Sequence, residues 1–533
     1  MIFTDASFGV FIVVLFGLYW SLRRYLTVQN LLVLTASYLF YAWWDWRFLI
    51  LLILTSFTTW LTALPCGAAS AHPVTITAGD SAIVAVRRPD MRAKRWAKAL
   101  MISNIVLNIG ILVIFKYFNF FGENLIRIFN LFGLGLDWFT LRVLLPVGIS
   151  FYTFQAISYS VDCYRGVIRP EKNPLTFFTY IAFFPQLVAG PIERASQLIP
   201  QLARRRVFSR PMAVDGMRMI LYGLFKKICV ADMIAPIVDG FYVDNVFTPL
   251  VVFKITVLFS IQMYCDFSAY SEIARGVAAI FGVRLMANFR VPYFSRNIIE
   301  FWGRWHISLM LWFRDYIYIP LGGSRCPVGR QIFNILAVFF LSGLWHGAGR
   351  NFVVWGLLWG VIYVAGRFLL GLQRVKESIE GKDLWRIILT YGVVASCLYI
   401  FRSSHWGEMF ALVKGGWFVG CFFLLASLAG WLATGVTSAV WRSVGRLIFA
   451  AGGILWVTGQ IYAVRDNLWE IFGWVWVPCA VWVLIIEWRN RAEEHPMARV
   501  PATAWKRYGM YLLFFLLIIL TNNTNEGFIY FRF

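Results

Sequence analysis

Two histidines stand where a proton could be handled inside an apolar chain: His306 in "RWHIS" and His346 in "GLWHGA", each directly after a tryptophan. Imidazole has an unperturbed pKa of about 6.5, so it takes up and returns a proton near neutral pH. Such a group can act as general base toward an attacking hydroxyl. The plainer alternative is a buried imidazole held by a backbone carbonyl, and the bare residues admit both. Gly343 and Gly347 flank Trp345-His346. Small residues permit close helix packing in a membrane, and they also leave room for a ligand. His72 and His495 sit in basic, Pro-containing loops and His405 in "FRSSHWGEMF", so these three read as surface or structural residues.

Charged groups gather around the two histidines. Asp266 and Glu272 in "CDFSAYSEIARG" fall on roughly opposite sides of an ideal helix, so they are not an obvious carboxylate pair. Asp266 reads either as tied to an arginine or a helix end, or as standing beside an active cavity; charge inside a span raises the second reading. Residues 287–325 then carry Arg290, Arg296, Arg304, Arg314 and Arg325 among aromatic residues, between Pro292 and Pro320. Glu300 and Arg304 have the spacing of a helical ion pair, and Asp315 adjoins Arg314. The stretch reads as an interfacial helix, as the wall of a polar cavity for an anionic donor, or as both. No Gly-rich phosphate loop, HExxH, GxSxG or metal-ligand cluster is present, so no metal is expected and a covalent serine mechanism is poorly supported. The 8 cysteines are scattered, without a CxxC pair.

The elements that must position these groups are membrane helices. The chain has 533 residues, 60% hydrophobic and only 14% charged. That is too few charges to cover the surfaces of a soluble chain of this length. A spanning helix needs roughly 20 mostly apolar residues. Candidate spans lie near 8–22, 29–45, 47–64, 99–118, 143–162, 212–236, 250–268, 331–346, 352–371, 386–401, 408–433, 444–464, 470–487 and 508–522. Two further stretches, 174–190 and 298–321, are interrupted by Pro, Gly and charge and read as re-entrant or interfacial. The fold class is therefore all-α, a polytopic transmembrane bundle in a lipid bilayer. The formal net charge of +22 points to cytoplasmic basic loops rather than nucleic acid. With "VRRPDMRAKRWAK", "ARRRVFSR" and the later basic clusters inside, both termini fall outside. The first span reads as retained, and loop 65–98 as irregular and cytoplasmic.

At this point the sequence resembles the membrane-bound O-acyltransferases, and among them the bacterial alginate O-acetyltransferase branch. The matching pieces are "SYLFYAWWDWRFL", "LPVGISFYTFQAISYSVDCYRG", "FFPQLVAGPIER", "YCDFSAYSEIARGVAAIFG", "NFRVPYFSRNIIEFWGRWHISLMLWFRDYIYIPLGGSR", "LSGLWHGAGRNFVVWG" and the terminal "FIYFRF". They run in family order over nearly the whole chain. The resemblance implies one domain over 1–533, with N-terminal spans 1–64, the loop 65–98, a catalytic core 143–371 and C-terminal spans 386–533 around a funnel or tunnel. It implies transfer of an acyl group, acetyl above all, from a cytoplasmic thioester. Acetyl-coenzyme A is the expected donor, and no tightly bound cofactor is expected.

The acceptor so implied is an extracytoplasmic polysaccharide, alginate, cellulose or a similar exopolysaccharide, reached with a separate periplasmic acetyltransferase partner at the bacterial inner membrane. The family's central histidine falls on His346 and its second motif histidine on His306. Trp345, Trp305, Arg304, Arg314, Asp315, Asp266 and Tyr264 are the candidates for substrate contacts. Cys265, Ala269 and Glu272 depart from the usual pattern around Asp266, which bears on acceptor or partner choice rather than chemistry. D-alanyl transfer to teichoic acid and acylation of peptidoglycan fit the same pattern. A transporter or a scaffold without acyl chemistry fits it less well.

Overall fold

A computed structural model describes residues 1–69, 73–78, 81–86, 91–132, 146–243, 247–375, 378–434 and 475–522. Helices dominate, as the long apolar runs require: in lipid a backbone must satisfy its own N–H and C=O groups. Among the described residues, seven helices are long and apolar enough to cross a membrane: Trp46–Ala63, Met91–Lys116, Pro249–Ile280, Val328–His346, Arg350–Leu369, Gly381–Arg402 and Ala504–Thr521. Ala6–Ser21 and Leu26–Ala42 are apolar but shorter. The expected span 444–464, His72 and the C-terminal 523–533 lie outside the described residues.

The chain packs as two units, residues 1–216 with 274–286, and residues 217–273 with 287–533. In the first unit, Trp46–Ala63, Met91–Lys116 and Ile149–Arg165 are joined by polar groups. The Thr59 hydroxyl donates to Asn104 Oδ1 at 3.2 Å, and Asn104 Nδ2 donates to Ser160 Oγ at 2.7 Å. Such bonds help associate membrane helices, because apolar burial gives no net drive in lipid. The stretch 174–190 is broken as its composition requires: Pro174–Ala182 is capped by Asn173, and a second short helix covers Phe184–Leu187.

Loop 65–98 corrects the sequence reading. Its described residues are regular: a short helix, Cys66–Ala69, antiparallel strands pairing Pro73–Ala78 with Ser81–Val86, and a helix that already starts at Met91. The β-branched runs "VTIT" and "AIVAV" favour strands. The helix Phe118–Leu131 is also additional. Asn119, Gly122, Glu123 and Asn124 interrupt its apolar run, so it falls short of a span by composition.

The expected span 212–236, most of it in the second unit, is a composite. Helix Arg210–Lys226 passes through a π-helical turn, Lys227–Ala231, into Asp232–Val243. Pro249–Ile280 runs well past the expected end at 268. The stretch 298–321 breaks into Ile298–Trp302, Ile307–Phe313 and a π-helical turn Arg314–Tyr318. π-helical turns occur frequently at functional sites.

Candidate functional site

"GLWHGA" closes the helix Val328–His346, and the next helix begins at Arg350. Glycine explains how these two helices meet. A Cβ on Gly343 would lie 2.3 Å from the Phe352 carbonyl oxygen, and one on Gly356 2.5 Å from the Phe339 carbonyl oxygen. A Cβ on Gly347 would lie 2.1 Å from the Phe352 ring. Of the two uses open to these glycines, close packing is therefore realised. It places Trp355 beside His346, the last helical residue, and Phe352 against Gly347.

The half-buried imidazole of His346 stands edge-on to three rings. Its centroid is 4.9 Å from Trp345, 5.1 Å from Trp355 and 5.2 Å from Phe401. Asn351 Nδ2 fixes Phe401 by donating to its carbonyl at 2.7 Å. His306 is buried and packs T-shaped on Phe267 at 4.8 Å. Its ring centroid is 5.9 Å from that of Trp345. The two histidines chosen from sequence thus both pack edge-on against one indole, that of Trp345. His306 Nδ1 lies 3.1 Å from Asn288 Oδ1.

Trp305 belongs to the same aromatic mass. It stacks on Phe301 at 5.5 Å and on Tyr293 at 6.1 Å, and meets Phe289 edge-on at 5.1 Å. Phe289 and Tyr264 also line a cavity of about 460 Å³. Its other walls include Arg290, Arg304, Arg374 and Arg491, matched by Glu272, Glu300, Glu493 and Glu494, together with His495, which is buried rather than on the surface. The volume is within the range of small-molecule sites, and the guanidiniums not taken up by these carboxylates are the groups there that could meet an anionic ligand. The Phe289 centroid lies 6.4 Å from that of His306, so one aromatic layer relates the charged cavity to the histidines.

The candidate charged residues separate into three settings. Arg304 donates to Glu300 at 2.8 Å, the pairing expected from their spacing, although the helix already ends at Trp302. Arg296 holds the same carboxylate, donating from Nη2 at 3.1 Å, and also reaches Asp383. Burial works against the Glu300 carboxylate, yet hydrogen bonds from Arg296 and the charge of Arg304 keep its pKa below the ordinary value. It serves as a fixed anion there. Arg314 and Asp315 pair with each other at 2.7 Å in a more exposed position and do not line the cavity.

Asp266 is buried, and Lys227 Nζ lies 2.6 Å from both Asp266 and Asp232. Lys226, next in the chain, takes Glu272 at 3.0 Å and Glu487 at 3.4 Å. Tyr264 donates its phenol to Glu487 at 2.8 Å. The sequence reading missed Lys226, Lys227 and Glu487. Their signal was there, as ionisable residues inside apolar runs. Asp266 and Glu272 each meet a lysine of their own. Among the described residues no group of His, Cys, Asp and Glu is placed to hold a metal ion.

A profile of the membrane-bound O-acyltransferase family matches residues 168–404, a range holding both histidines and the broken segment between them. A probable alginate O-acetylase of Pseudomonas aeruginosa is 36% identical over 408 residues, covering 76% of this chain and 72% of the relative. The chain belongs to the membrane-bound O-acyltransferase family. It is an O-acyltransferase with several membrane helices. A peptidoglycan O-acetyltransferase of Helicobacter pylori is 30% identical over 72% of this chain and 73% of its own length. A teichoic acid D-alanyltransferase of Bacillus subtilis is 26% identical over 48% of this chain and 69% of its own length.

Proposed function

We propose that this acyltransferase moves an acetyl group from acetyl-coenzyme A at the cytoplasmic face toward an extracytoplasmic polysaccharide, an alginate-like exopolysaccharide in the first instance. The similarity to alginate O-acetylases supports that acceptor. A separate periplasmic acetyltransferase completes delivery. The basic loops support a bacterial inner-membrane protein with both termini outside.

One observation carries the site assignment: His306 and His346 contact the same indole, one aromatic layer from the arginine-lined cavity. In this reading the cavity is the mouth of a funnel. Arg290, Arg304, Arg374 and Arg491 attract the phosphates of the donor, and Tyr264 and Phe289 form its inner wall. His346 takes the proton from the attacking hydroxyl as the oxygen bonds to the thioester carbonyl carbon. The carbon–sulfur bond then breaks, and the imidazolium returns the proton to the leaving sulfur, releasing free thiol. Atoms and charge balance without another reactant. His306 orients the hydroxyl. Trp345 and Trp305 wall the reacting groups, and water exclusion strengthens each charge interaction there. Asp266, with Lys227, braces the helix carrying Phe267 against His306. Arg314 and Asp315, paired with each other away from the cavity, have no part in donor binding in this reading.

General-base contributions are about 10²–10⁴-fold. Acceptor-dependent thiol release from acetyl-coenzyme A by the reconstituted chain tests the reading. Competition with a carrier-protein thioester identifies the donor.

A further inference from the structure

Asn288 is buried, 1% exposed, and its side-chain oxygen is a shared acceptor. The Ser308 backbone N–H donates to Oδ1 at 3.3 Å, the Ser308 hydroxyl donates at 2.8 Å, and His306 Nδ1 lies at 3.1 Å. These contacts determine a proton position. A backbone N–H can only donate, so the amide atom facing it is oxygen rather than nitrogen. An oxygen facing His306 Nδ1 then requires that Nδ1 carry the hydrogen. The basic lone pair of the neutral ring is left on Nε2, because the bond made by one imidazole nitrogen selects the state of the other.

The backbone reinforces this arrangement. The Ile307 N–H donates to the Asn288 carbonyl at 2.9 Å, and the Arg290 N–H donates to the Arg304 carbonyl at 3.0 Å. The two segments are laced together on both sides of His306. His306 itself has φ +44°. That left-handed conformation is uncommon for a residue with a Cβ and persists where the surroundings over-determine it. Strain of this kind clusters at functional sites.

We propose that Asn288 is a positioning residue: it fixes His306 as the Nδ1-protonated tautomer and presents Nε2 to the acyl-transfer site. An unprotonated Nε2 accepts a hydrogen bond from the acceptor hydroxyl and turns its oxygen toward the acyl carbon. The opposite tautomer would point an N–H at that hydroxyl's proton. The assignment of the tautomer stands on the hydrogen bonds alone; its use in transfer rests on the proposed function above.

The test combines a spectrum with kinetics, using the full chain in lipid nanodiscs. The chain has 5 histidines, so ¹⁵N-histidine labelling gives a small set of ring signals, and His306→Gln identifies those of His306. Wild-type protein should show protonated Nδ1 and unprotonated Nε2 at His306. Asn288→Ala should lose that tautomer and lower kcat for acetyl transfer by about 10²-fold, with the donor KM changed less than about twofold by the same reasoning. Asn288→Asp keeps an acceptor oxygen. It should retain the tautomer and recover most of kcat, while its added charge raises the imidazole pKa and moves the acid limb of the pH profile upward.

A wild-type His306 protonated at Nε2 alone overturns the proposal, without any variant having to fold. So does Asn288→Ala with the wild-type tautomer, or Asn288→Asp no more active than Asn288→Ala. The failure of the site reading looks different: His306→Gln would transfer acetyl at the wild-type rate, while in the proteins that keep His306 its ring signals would still follow Asn288.

Discussion

Replacing Lys226 with Met should damage both stability and donor recognition. Lys226 is fully buried, and its ammonium donates to Ser268 Oγ at 2.7 Å and to Glu272 at 3.0 Å, with Glu487 at 3.4 Å. It also lies 5.0 Å over Tyr222 and 5.1 Å over Tyr264. Methionine keeps much of the stem's volume but leaves two buried carboxylates without their shared cation. Breaking a buried pair in this way costs about 3–5 kcal/mol. At about 2 °C per kcal/mol for a large domain, the unfolding midpoint should fall by about 6 °C or more. Glu487 also fixes Tyr264, and Tyr264 and Glu272 both line the cavity, so the donor KM should rise in the same variant. The assay is thermal unfolding in detergent alongside steady-state thiol release. Adding Glu487→Gln removes one uncompensated charge and should restore part of the midpoint, because residues in one network couple. A Lys226→Met protein within about 1 °C of wild type, where an effect of several degrees is expected, would refute the reasoning.

Charge removal at the cavity should separate its arginines from those outside it. Arg374→Gln with Arg491→Gln should raise the donor KM and weaken the salt dependence of binding, whereas Arg314→Gln should leave the donor KM unchanged. Gly343→Ala places a Cβ 2.3 Å from the Phe352 carbonyl oxygen, so overpacking should cost about 1–3 kcal/mol; chemical denaturation measures it. The depressed pKa of Glu300 gives a pH signature. Its ion pairs are intact above the ordinary value of 4.5 and are lost as pH falls through the lower folded-state value. Glu300→Gln should therefore flatten stability against pH only in the acid range, as followed by thermal melts from pH 7 downward.

The sequence carried the local features and lost the distant ones. Apolar runs placed most helices, and the Pro, Gly and charge within 298–321 announced its breaks. The two Trp-His dipeptides were visible because ionisable groups are rare in such surroundings. Their shared indole was not, since periodicity describes one helix at a time. The same limit hid the Tyr264–Glu487 bond, whose partners are 223 positions apart, and the lysine partners of Asp266 and Glu272. Asn288 carried no signal of its own: a lone asparagine reads as polar packing until the Ser308 N–H shows which amide atom faces His306. Arg314 and Arg304 looked alike in sequence, yet the π-helical turn leaves Arg314 outside the cavity. The two uses open to Gly343 and Gly347 needed the Phe352 carbonyl and ring to separate them.

The central claim is that the histidine of "GLWHGA" handles the proton in acyl transfer. Thiol release from acetyl-coenzyme A, measured with and without an acceptor for His346→Ala in nanodiscs, tests it most directly. The account predicts a fall of about 10²–10⁴-fold in the acceptor-dependent rate, with the unfolding midpoint and donor binding largely retained. Acceptor-dependent release at the wild-type rate would contradict it.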